Sequence, residues 1–176
     1  MRALLPSTAL LLCLLSTACA GKREVRPQGA MQKVAVVVGS RVDSLPAYSV
    51  RQEMLGETNP RTVLVSQTES ALDSRGFDVV ARRISAAPYP STEEVVQLIE
   101  DNGAQGAVVV VLDWVDVSAT EVLGRAEVVL DTVVVGPGGE VTWRNQTRSV
   151  HQVGVYQADW QSYLRKAVIE AIRAVP

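Results

Sequence analysis

Two short stretches of this chain are apolar without any alternation, and the remaining pattern arranges itself around them. Residues 33–39 contain Val34-Ala35-Val36-Val37-Val38 and stop at Gly39, and residues 107–112 read Ala-Val-Val-Val-Val-Leu. Unbroken runs of β-branched residues at this length mark strands buried on both faces. Between them, Asn59-Pro60 offers an N-cap followed by a proline at the first helical position. Leu64, Thr68, Ala71 and Leu72 then repeat at helical spacing until Gly76. Residues 77–82 make a short second strand. Ser91-Thr92-Glu93-Glu94 is a capping box, the serine hydroxyl and the Glu94 carboxylate serving each other's exposed backbone donors, and it opens a helix with Val95, Val96, Leu98 and Ile99 inward, ending at Asn102-Gly103. The second apolar run continues through Trp114 to Val117. Residues 127–135 return, Gly136-Pro137-Gly138-Gly139 turns, and residues 140–150 go out again with Val141, Trp143 and their successors alternating with polar residues. Asp159 caps a last helix whose stripe is Trp160, Leu164, Ala167, Val168, Ala171 and Ile172. The order β-α-β-α-β-β-β-α predicts an α/β (α+β mixed) fold, a mixed five-stranded sheet with helices mainly on one face.

Composition agrees with a sheet-rich core: 31 valines stand against 4 isoleucines and a single phenylalanine. The first 18 residues have the form of a cleaved leader, with Arg2 as their only charge, an apolar run from Ala3 to Leu15 and a small-residue exit. The run is too short for a permanent membrane helix, which needs about 20 apolar residues. Removing it leaves 158 of the 176 residues, with 16 basic against 19 acidic side chains and a formal charge of −3. That balance lacks the basic excess by which nucleic acid is bound, so no nucleic-acid partner is expected. Residues 19–32 are rich in Lys, Arg, Pro, Gln and Gly and read as a flexible tether, leaving residues 33–176 as one domain.

The exit of the leader, Leu14-Leu15-Ser16-Thr17-Ala18-Cys19, resembles the lipobox of bacterial lipoproteins, in which the cysteine receives a diacylglyceryl group and becomes the first residue. Members of that group favour leucine three places before the cysteine, where this chain has Ser16. Ala18-Cys19-Ala20 also satisfies an ordinary signal-peptidase pattern with cleavage after Ala20. Cys13 lies inside the apolar run, so Cys19 has no intramolecular disulfide partner, and lipid attachment at Cys19 explains an unpaired cysteine there better than survival as a thiol in an oxidising compartment. The expected partner is therefore a membrane, reached through the lipid anchor. Ala20 lacks the aspartate that signals inner-membrane retention in enteric bacteria, so the resemblance points to the outer membrane, facing the periplasm.

The order of elements resembles the amino-terminal domain of TolB and the CsgG/LpoB-type periplasmic lipoproteins. Three stretches carry this: Leu72-Asp73-Ser74-Arg75-Gly76-Phe77-Asp78-Val79 at a helix-to-strand turn, Gly103-Ala104-Gln105-Gly106-Ala107-Val108 leading into the central strand, and Gly139-Glu140-Val141-Thr142-Trp143 at a hairpin. The resemblance implies a docking or accessory module of an envelope assembly, with an envelope protein as partner and no catalytic residues.

Candidate chemistry is sparse. Neither a Gly-x-Gly-x-x-Gly nor a Walker pattern follows Gly39, His151 is the only histidine, and no serine lies in a Gly-x-Ser-x-Gly context, so no cofactor, metal or hydrolase site is expected. Asp113 and Asp116 stand three apart in a strand and by simple alternation face opposite sides. The connection over residues 40–58 is long for a compact domain and carries Tyr48, Val50, Met54 and Leu55 in a polar setting, which makes these four the expected partner-binding residues. The competing expectation is a periplasmic small-molecule carrier or enzyme with a pocket at the ends of the central strands.

Overall fold

The computed structural model describes residues 30–43, 59–119, 124–153 and 160–176. Its elements are β1 (Lys33–Ser40), α1 (Pro60–Ser74), β2 (Asp78–Ile84), α2 (Thr92–Asn102), β3 (Gly106–Ala119), β4 (Gly124–Val135), β5 (Val141–Val153) and α3 (Trp160–Arg173). The strands form one five-stranded sheet in the order β2-β1-β3-β4-β5. β1 pairs in parallel with both β2 and β3, and β3, β4 and β5 form an antiparallel meander. The expected fold class and element order are therefore those observed. Strand ends run further than the apolar pattern suggested: β2 reaches Ile84, β4 begins at Gly124 and β5 extends to Val153. Ladder hydrogen bonds come from the backbone and do not require an unbroken apolar pattern.

The unbroken run of β1 is explained by two cores. Val34, Val36 and Val38 point to one face, where α1 and α3 bury them with Val108, Val110, Leu112, Val128, Leu130, Leu64, Leu72, Leu164 and Ile172. Ala35 and Val37 point to the other, against Val109, Val111 and the inner side of α2 at Val95, Leu98 and Ile99. Burying each large aliphatic side chain in such a core contributes roughly 1.5–3 kcal/mol. The helices are tied at their ends. Asn59 Oδ1 accepts the Arg61 amide at 3.0 Å, as an N-cap does. Arg75 Nη1 donates to the carbonyls of Ile172, Arg173 and Val175 at 2.7, 2.9 and 2.8 Å, so a cation at the end of α1 satisfies the orphan carbonyls at the end of α3. Ser91 Oγ accepts the Glu94 amide at 3.2 Å, while the Glu94 carboxylate takes the Ser85 hydroxyl at 3.0 Å and so links α2 to the loop that precedes it.

Candidate functional site

Cys19, Tyr48, Val50, Met54 and Leu55 all lie outside the described residues, as does Asp159. The site that the described residues do assemble is on the second face of the sheet. There α2 packs against β1 and β3, while the cross-strand pairs Val133 with Arg144, Asp131 with Gln146, Val129 with Arg148 and Glu127 with Val150 carry the same face onward across β4 and β5. The ladder register shifts between Leu112 and Trp114, a bulge at Asp113 that resets the alternation of β3. Trp114 consequently stands opposite Val129 on this open face, 55% exposed, while Val115 packs on the first-face core. Simple alternation along β3 is broken at Asp113. Asp113 leaves the ladder and binds Arg41 at 2.7 Å and the Tyr89 hydroxyl, which donates to it at 3.2 Å.

Tyr89 is held by its neighbours Pro88 and Pro90 and by the end of β1. A Cβ added at Gly39 would lie 2.1 Å from the Pro88 carbonyl oxygen, so only glycine lets the loop approach β1 this closely. Partial burial first, and the Asp113 carboxylate second, hold the Tyr89 phenol above its ordinary value. On the far side, the β4–β5 turn is brought against α2 at Gly139, whose φ of +84° and proximity to Thr92 and Val96 leave no room for a side chain.

Between these walls lies a cleft of about 200 Å³ lined by Tyr89, Pro90, Val95, Val109, Val111, Val133, Val135 and Val141, with Asp131 and Arg144 as its charged groups. Asp131 is only 7% exposed. Gln146 Nε2 donates to its Oδ1 at 3.1 Å, and Arg144 Nη2 stands 3.8 Å from Oδ2, beyond hydrogen-bond reach. Further along the face Glu127 pairs with Arg125 at 2.5 Å and with Arg148 at 2.6 Å, and the Arg148 hydrogen bond, above all, pulls its carboxyl below the ordinary value.

Elsewhere, Ser149 Oγ lies 2.9 Å from His151 Nε2, and the imidazole packs on Tyr163 with ring centres 5.7 Å apart. Ser149 is buried. Among the described residues no cluster of three or more His, Cys, Asp or Glu could hold a metal ion, and no helix is long and apolar enough to cross a membrane. Sequence reasoning passed over Asp131 and Tyr89. Their signals are a polar Asp131-Thr132 pair inside the otherwise apolar residues 128–135, and an aromatic residue between two prolines.

No family model and no curated protein matches this sequence. Solved structures do resemble it. The hypothetical protein CT253 from Chlamydia trachomatis is 13% identical and superposes with a TM-score of 0.54 over 82% of this chain and 95% of its own. The PelC dodecamer from Paraburkholderia phytofirmans gives 11% identity and a TM-score of 0.47, covering 83% of this chain and 90% of PelC. Lipoprotein GNA1162 from Neisseria meningitidis gives 13% and 0.41, over 81% and 99%. At these identities the likeness is one of fold, and the neighbours include bacterial lipoproteins.

Proposed function

We propose that this chain is a membrane-anchored periplasmic lipoprotein that docks a protein of the cell envelope and performs no catalysis. The observation that carries the reading is the open half of the second sheet face. Trp114, Val141 and Val150 are exposed there, the last two by 62% and 49%, beside Arg125 and Arg148, which pair with Glu127. A tryptophan and several arginines on a rigid, mixed surface are the composition of a protein interface. Cys19 supplies the lipid anchor and residues 20–32 the tether, a reading supported by the lipobox pattern at the end of the leader. The carrier alternative would use the cleft, but about 200 Å³ falls short of the roughly 300–1,000 Å³ of small-molecule pockets.

Photo-crosslinking residues placed at 114 and 150 test the docking surface in intact envelopes, with Glu170 on the outer side of α3 as control. Discrete adducts from the first two positions and none from the control are expected. Adducts confined to positions 48 or 54 would move the contact to the β1–α1 connection, and their absence everywhere would overturn the reading. Separately, Cys19→Ala is expected to release the protein from membranes into the soluble fraction, and unchanged partitioning would remove the anchor.

A further inference from the structure

We infer that the cleft beside α2 is a binding subsite for an alkyl cation, that is, an apolar stem ending in an ammonium or guanidinium group. The inference stands independently of partner docking, because it rests on the cleft alone. Its walls at Val109, Val111 and Val133 are aliphatic and match a stem without polar atoms. Its buried charged group is Asp131, whose carboxylate, among the described residues, receives one amide hydrogen bond, from Gln146, and has the exposed Arg144 at 3.8 Å.

A buried carboxylate is stable only when paired and hydrogen-bonded, and this one retains unused acceptor capacity beside apolar walls. A cation on a slender stem adds a close, charge-assisted hydrogen bond that the longer Arg144 contact does not provide. An anionic ligand would meet the Asp131 charge with only Arg144 in compensation, and a neutral apolar ligand would cover the carboxylate without pairing it. Tyr89 adds an aromatic ring at the cleft wall, a surface that attracts cations. The same chemistry is offered by a lysine or arginine side chain of a polypeptide and by a free alkylamine.

The test titrates the mature, isotope-labelled chain with pentylamine, 1-pentanol and pentanoate, following backbone amide shifts. Pentylammonium is expected to move the amides of Val109, Val111 and Val133 and to bind at least about tenfold more tightly than pentanol, the gain of one charge-assisted hydrogen bond. Asp131→Asn should remove that preference with little change in Tm. Should Asp131→Asn fail to fold, Val133→Phe decides, since it fills the cleft and keeps the carboxylate, and binding should vanish. Pentanoate binding as tightly as pentylammonium, shifts located elsewhere, or binding unaffected by either variant would each overturn the inference. An acetylated and amidated Gly-Lys-Gly peptide separates the sources: tighter binding than pentylamine points to a polypeptide side chain, equal or weaker binding to a free amine.

Discussion

The two faces of the sheet are both built largely of valine and end in different states. On the first, α1 and α3 seal β1, β3 and β4 beneath a continuous apolar core. On the second, α2 covers only β1, β3 and their surroundings, and the remaining half is left with Trp114, Val150 and a ladder of paired charges. The cause is topology rather than composition. A right-handed crossover from β1 to β2 and another from β2 back past β1 to β3 travel in opposite directions, so they place α1 and α2 on opposite faces. The two hairpins beyond β3 bring no helix, and α3 returns to the first face. An uncovered half-face is therefore built into the strand order, and the side chains there have adapted to it.

One substitution made on both faces measures the contrast most sharply. Val110→Asp puts an unpaired charge into the sealed core and should cost several kcal/mol, enough to prevent cooperative melting near the parent Tm. Val129→Asp, on the open face opposite Arg148, should cost less than about 1 kcal/mol. Equal losses in thermal denaturation would mean that the second face is covered after all. Next in size is Gly39→Ala, which forces the Pro88 carbonyl away and should lower stability by about 1–3 kcal/mol while displacing Tyr89, read as loss of its contact with Asp113.

The sheet was legible because its signals are local: an apolar run reports burial on two faces, and caps such as Asn59 and Ser91 report helix starts directly. The site was less so. The bulge at Asp113 adds one residue to a strand without altering its apolar character, so simple alternation assigns Trp114 and its successors to the wrong faces. The cleft, in turn, gathers Tyr89, Val109 and Asp131 from segments that meet only in space. The expectation for Tyr48, Val50, Met54 and Leu55 rests on the length of their connection and its polar setting, signals that mark a place without describing its geometry.

Smaller effects refine the comparison. The sealed face has an imperfection, since the buried hydroxyls of Thr68 and Thr132 have no hydrogen-bond partner among the described residues. Thr132→Val keeps the shape and removes the orphan, and should stabilise by about 1 kcal/mol in denaturant titration. A neutral or destabilising result would show that the hydroxyl is satisfied. The smallest effect belongs to the open face. The carboxyl of Glu127 is held below its ordinary value of 4.5 by Arg148, so its contribution is present above that pH and is lost as acid titrates it. Glu127→Gln should therefore lower the Tm slightly at neutral pH, match the parent well below pH 4.5, and so flatten the acid limb of the profile.

The position of β1 has a consequence for the birth of the molecule. It comes first in the chain yet lies in the interior of the sheet, pairing Lys33 with Asp78 and Val34 with Gly106. The β3–β4 hairpin closes within the span from Ala107 to Val135, whereas β1 waits about 70 residues for its second neighbour, a slow and entropically costly closure. A chain emerging amino end first thus exposes this apolar strand before either of its neighbours has been made. The strand at the heart of the finished sheet is also the one that, during synthesis, must longest be kept from pairing with other chains.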